Sequence, residues 1–182
     1  MLKRKMYSFL LNWKKNKGKE CLLIKGARQV GKTYLVRQFA KAGYDSFIEI
    51  NFHMQSSLKV IFEGDKSADE IYKRMTANIP NIKLIPGKTL IFLDEIQKCS
   101  NARTALKFLA EDGRYDVIAS GSLLGLSYGK DDDKEVEPVE SIPVGYEKPV
   151  MMYSLDFEEF LWAYGYGSDT VGYLKIFFDS KE

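Results

Sequence analysis

The sequence predicts an α/β domain, a P-loop NTPase fold with helices on both faces of a doubly wound, mostly parallel five-stranded sheet. Three observations lead there. Short apolar runs alternate with segments of helical period; a glycine-rich loop at 26–33 lies between one such run and one such helix; and an unbroken apolar run at 89–93 ends on two adjacent carboxylates, Asp94 and Glu95. Strands that read as continuous apolar runs are those buried on both faces of a parallel sheet.

Met6, Phe9, Leu10 and Trp13 fall at helical spacing, so residues 3–15 form an amphipathic helix that packs on the core of the domain, and residues 16–19 break it. Residues 21–25 are the first strand. Residues 32–41 resume a helical pattern with Leu35, Val36 and Phe39 inward. Residues 46–52 are the second strand, and Ser67 with Glu70 makes a capping box that opens a helix to Asn78. Pro86 and Gly87 mark a turn before the apolar strand at 89–93. Residues 102–111 are helical with Leu106 and either Leu109 or Ala110 buried, and residues 115–120 are the fourth strand. Residues 128–140, with Asp131, Asp132 and Asp133 repelling one another, read as a mobile surface loop. Residues 149–153 are the fifth strand; Asp156 and Glu159 then form a second capping box, opening a helix through Phe157, Phe160, Leu161 and Trp162. The domain plan is an N-terminal helix at 1–19, a core at 20–164 and, at 165–182, the start of a connection to a further domain.

Composition narrows the class. A chain of 182 residues, 45% hydrophobic and 29% charged, suits one globular domain that needs neither disulfide nor metal to fold. Cys21 and Cys99 each adjoin an apolar run, which reads as buried free thiols and a reducing cytoplasm. The basic start leads into no signal-peptide core, and no segment approaches the roughly 20 apolar residues of a membrane span. A net charge of +2 makes no strong case for nucleic acid as a partner, and Lys14, Lys15, Lys17 and Lys19 read as a solvated helix end.

The chemistry sits at two places. Gly26, Ala27, Arg28, Gln29, Val30, Gly31, Lys32 and Thr33 fit the phosphate-loop pattern of glycine, four residues, glycine, lysine, then serine or threonine. Glycines allow the positive dihedrals that aim successive amides inward, and the helix N-terminus adds partial positive charge. Lys32 is then expected on the β- and γ-phosphates of ATP and Thr33 on Mg2+, with Tyr34 next in the binding segment. Asp94 is expected to hold the magnesium, and Glu95 to orient and deprotonate the attacking water. Ser120 and Ser122, where the fourth strand ends, are the candidates for sensing the γ-phosphate or that water. Gln97 either contacts water at the nucleotide or caps the next helix. His53, the sole histidine, reads as a polar strand-end residue. The guanine-reading Asn-Lys-x-Asp signature is missing, since Asn16-Lys17-Gly18-Lys19 lacks its aspartate and precedes the loop, so adenine is the expected base.

Taken together, the phosphate loop, Leu93-Asp94-Glu95-Ile96-Gln97, Ser120-Gly121-Ser122-Leu123-Leu124 and Tyr153-Ser154-Leu155-Asp156-Phe157-Glu158-Glu159-Phe160-Leu161 resemble a prokaryotic AAA+-like ATPase family over nearly the whole chain. The resemblance implies a sheet order of 5-1-4-3-2 and a separate C-terminal domain of nuclease-like character, which these residues do not include. Many such proteins carry a glycine-arginine pair before the fifth strand; this chain has Gly145-Tyr146, and no arginine follows Arg114. An arginine finger is therefore expected from the further domain, from a second copy or from a protein partner, and turnover by these residues alone is expected to be slow. The rival expectations are a nucleotide-dependent binding switch and a small-molecule kinase; Glu95 beside Asp94 argues against the kinase, which has no use for a water-activating base.

Overall fold

The structure, a computed structural model, describes residues 2–16, 18, 20–122 and 145–179. Five parallel strands form one sheet: β1 (Cys21–Gly26), β2 (Ser46–Asn51), β3 (Thr89–Asp94), β4 (Asp116–Ser122) and β5 (Glu147–Met151), in the order β2-β3-β4-β1-β5. This is the expected fold class and the expected order. Among the described residues the α-helices are α1 (Lys5–Lys15), α2 (Lys32–Gly43), α3 (Ala68–Asn78), α4 (Ser100–Asp112), α5 (Phe157–Ala163) and α6 (Ser168–Asp179).

Alternation along the strands builds two cores. Leu22 and Ile24 of β1, Leu90 and Phe92 of β3 and Ile118 of β4 face Leu10, Trp13, Leu35, Val36 and Phe39 of α1 and α2. Their neighbours Leu23, Ile91, Leu93, Val117 and Ala119 face the opposite way, onto Ile71, Met75, Leu106 and Leu109 of α3 and α4. Covering both faces explains why β3 is buried at every position. Register then aligns the strand ends: Asn51 pairs with Asp94, and Gly26 with Ser122. Polar residues are thereby collected at the carboxyl ends of the strands, beside which ligands of open α/β sheets bind.

Several expectations need correction. Ser67 is the N-cap of α3, but the capping box with Glu70 does not form. Both of its members are engaged elsewhere: Asp65 Oδ1 accepts the Ser67 N–H at 2.8 Å, the donor that Glu70 would have taken, and Glu70 pairs with Lys73 at 2.6 Å. The Asp156 box does form, with Glu159 N–H donating to Asp156 and Asp156 N–H donating back to Glu159. The fifth strand lies two residues earlier than expected because Glu147 and Lys148 pair with Cys21 and Leu22; Pro149 is tolerated there because β5 is an edge strand. Residues 168–179 form α6, and a helix there does not contradict the expected connection to a further domain. The acidic stretch at 128–140, and Lys17 and Lys19 of the basic cluster, lie outside the described residues. Both cysteines are buried and form no disulfide, and burial pushes the Cys21 thiol up to about 12. Among the described residues, no helix is long and apolar enough to cross a membrane.

Candidate active site

The loop between β1 and α2 has the backbone that its glycines predict. Gly31 has φ +94°, in the left-handed region, and a Cβ on Gly26 would stand 2.2 Å from the Met152 carbonyl oxygen. Gln29, with φ 64°, adopts the same left-handed geometry without being glycine. Ala27, Arg28 and Gln29 are exposed, as is Tyr34 on the first turn of α2. Lys32 is buried, and its ammonium donates to the carbonyls of Gly26 at 2.9 Å and Ala27 at 2.7 Å. Burial lowers its pKa, against the opposing pull of Glu95 and Asp94.

Asp94 is the hub of the site. It is 2% exposed, and its two oxygens divide the surrounding donors. Oδ2 accepts from the Thr33 hydroxyl at 3.0 Å and the Asn51 amide at 2.9 Å; Oδ1 accepts from the Ser120 hydroxyl and from Glu95 N–H at 3.2 Å. Thr33 and Asp94 are 61 residues apart in sequence and meet because β1 and β3 flank β4 in the sheet. Ser120 touches the cluster, whereas Ser122 lies at the strand end opposite Gly26.

Glu95 has φ 54° and ψ 46°, a left-handed conformation uncommon outside glycine and often stored at functional sites. Its carboxylate accepts from the Gln97 side-chain amide. Gln97, buried in the short 3-10 turn Ile96–Lys98, thus holds Glu95 and does not cap α4; of its two expected roles, capping is the one the structure overturns. His53 is exposed just beyond β2. Asn51 is the residue that sequence reasoning missed: its side-chain oxygen accepts from His53 and Met54 N–H at 3.0 Å each, which aims its amide at Asp94. The available signal was a polar residue closing the strand beside β3.

Beside the loop lies a cavity of about 470 Å³, bounded by Gln29, Val30 and Gly31 on one side and by Leu2, Tyr34 and Met152 on the others. A profile of the AAA domain family matches residues 18–161, most of the chain. The chain belongs to that family. No curated protein matches this AAA domain. Among solved structures, the Pif1 helicase from Candida albicans superposes with a TM-score of 0.51 at 12% identity, over 86% of this chain and 41% of that one. C. elegans PCH-2 superposes with a TM-score of 0.40 at 15% identity, over 81% and 39% respectively. The AAA domain therefore spans less than half the length of either, and at 12% identity the likeness to the Pif1 helicase speaks for the fold alone. Family and fold together are consistent with an ATP-binding P-loop ATPase domain.

Proposed function

We propose that this AAA domain binds ATP with Mg2+ and hydrolyses it to ADP and phosphate. The observation that carries the reading is the Thr33–Asp94 contact of 3.0 Å, which joins the phosphate loop to the paired carboxylates, with Glu95 next in the chain. The amides of residues 26–33 receive the phosphates, and Lys32 exchanges its two loop carbonyls for phosphate oxygens. The cavity beside Val30 takes the adenine. The Thr33 hydroxyl and Asp94 carboxylate are hard oxygen donors of the kind Mg2+ selects, and the ion, when bound, offsets charge on the transferring phosphoryl group. Glu95 serves as the base that orients water, Gln97 sets its direction, and Ser120, through Asp94, reports the state of the site. Ser122 is the alternative sensor at the same strand end.

The output passes to a neighbouring domain or partner, which also supplies the arginine that residues 115–182 lack. That lack favours a second reading, a switch that holds ATP and turns it over slowly until the arginine arrives, since such a residue is worth about 10³ to 10⁵ in rate. Glu95→Gln separates the two. A water-activating carboxylate acts in the transition state, so the ATPase reading expects unchanged ATP affinity with phosphate release reduced by roughly 10² to 10⁴. Equal rates for wild type and variant, measured with the partner or longer chain present, would leave only the switch.

A further inference from the structure

Arg4 belongs to no helix or strand and lies just ahead of α1, yet it is only 9% exposed. Its guanidinium touches three parts of the fold. Nη1 donates to the Val30 carbonyl in the phosphate loop at 3.1 Å, and Nη2 donates to the Tyr153 carbonyl beyond β5 at 2.7 Å. Nε stands 3.1 Å from Glu159 Oε2 but is not aligned for a hydrogen bond, so this third contact is a buried charge pair. Glu159 is itself fixed. Its Oε1 accepts Lys5 N–H at 2.7 Å, and its Oε2 closes the capping box of α5. Lys5 Nζ adds ion pairs to Asp156 at 2.7 Å and Glu158 at 2.8 Å.

The loop end of this arrangement is where it bears on binding. Val30 lies between Gln29 and Gly31, both left-handed, a conformation ordinary for glycine but uncommon for Gln29. In a trans peptide the N–H points opposite to the carbonyl, so a donor held on the Val30 oxygen turns the Gly31 N–H away from Arg4. Arg4 also lines the cavity beside the loop. A lysine offers no rigid fork to span two carbonyls and a carboxylate at once.

We propose that Arg4 is a positioning residue of the nucleotide site: with Glu159 it clasps the phosphate loop to the start of α5, so that ATP affinity and the order of α5 depend on each other. The proposal rests on the ATP-binding reading. By linkage, if the clasp favours the loop geometry that binds ATP, then bound ATP strengthens the clasp and protects α5.

The test compares wild type, Arg4→Lys, Arg4→Ala and Glu159→Gln by ATP titration and by amide hydrogen exchange at residues 27–31 and 157–163, with thermal melts to select folded variants. Should Arg4→Ala not fold, Arg4→Lys and Glu159→Gln, which keep most of the buried volume, carry the comparison. The expected result is ATP affinity about tenfold weaker in the variants, from loss of charge-assisted bonds. Faster exchange in both segments without ATP is also expected, along with an ATP-induced protection of residues 157–163 seen in wild type and lost in the variants. A purely structural pin would lower the melting temperature without that loss. Wild-type affinity and wild-type ATP-induced protection in a folded variant would overturn the proposal. If wild type binds no ATP while Arg4→Lys still loosens both segments, the ATP reading falls and the clasp itself stands.

Discussion

Replacing Asp94 by asparagine puts the hub of the site to a quantitative test. The carboxylate receives two donors on each oxygen: Thr33 and Asn51 on Oδ2, Ser120 and Glu95 N–H on Oδ1. Asparagine keeps one oxygen and turns the other into a donor. The hydroxyls of Thr33 and Ser120 can rotate to accept, but the remaining neighbour on either side cannot. If the new amide replaces Oδ1 it opposes the Glu95 N–H; if it replaces Oδ2 it opposes the Asn51 amide, whose own oxygen is committed to His53 and Met54. One donor beside a carboxyl group only 2% exposed is left unpaired in either rotamer, at a cost of about 1 to 3 kcal/mol. For a chain of this length each kcal/mol moves the melting temperature by about 2 to 4 °C, so Asp94→Asn is expected to melt about 2 to 12 °C lower without nucleotide. The same variant removes a proposed magnesium ligand, so ATP titrated with and without Mg2+ is expected to lose most of the magnesium enhancement while bare ATP binding changes little. Melting at or above the wild-type temperature would refute the donor accounting. An intact magnesium enhancement would place the ion elsewhere.

Two further outcomes are expected. Lys32→Ala removes charge-assisted bonds to phosphate, so ATP affinity is expected to fall roughly ten- to a hundredfold in a protein that still folds, as measured by titration; unchanged affinity would remove the phosphate loop from the site. The Asp156 carboxyl is held below its ordinary 3.8, first by the hydrogen bond from Lys5 and then by the Glu159 N–H, so its contribution to stability is full above pH 3.8 and is lost as pH falls through the lower folded value. Urea midpoints measured from about pH 5 down to about pH 3 are expected to fall more steeply for wild type than for Asp156→Asn, which keeps a capping oxygen but does not titrate; parallel curves would show that the Lys5 contact adds nothing.

What could be read from the sequence was whatever one segment decides for itself. β1 and β3 are legible because strands buried on both faces are apolar at nearly every position, and the phosphate loop because its backbone needs glycine at Gly26 and Gly31. The two capping boxes mark where this stops. Ser67-x-x-Glu70 and Asp156-x-x-Glu159 are equivalent as local patterns, yet Asp65 and Lys73 divert the first, while Arg4 and Lys5, more than 150 residues away in sequence, help hold the second.

Asn51 was illegible for a related reason: its role depends on β2 pairing with β3 in the register that sets Asn51 opposite Asp94. A slip of one residue would turn its side chain to the other face. Glu95 goes a step further, because the acidic pair was plain in sequence but its left-handed backbone was not. In an extended continuation of β3, successive side chains would point to opposite faces, and Glu95 would turn away from the face that Asp94 uses. The bend at φ 54° breaks that alternation, and the Gln97 contact secures the new direction. Two adjacent carboxylates can then serve one site, and the left-handed residue is the one proposed to activate water.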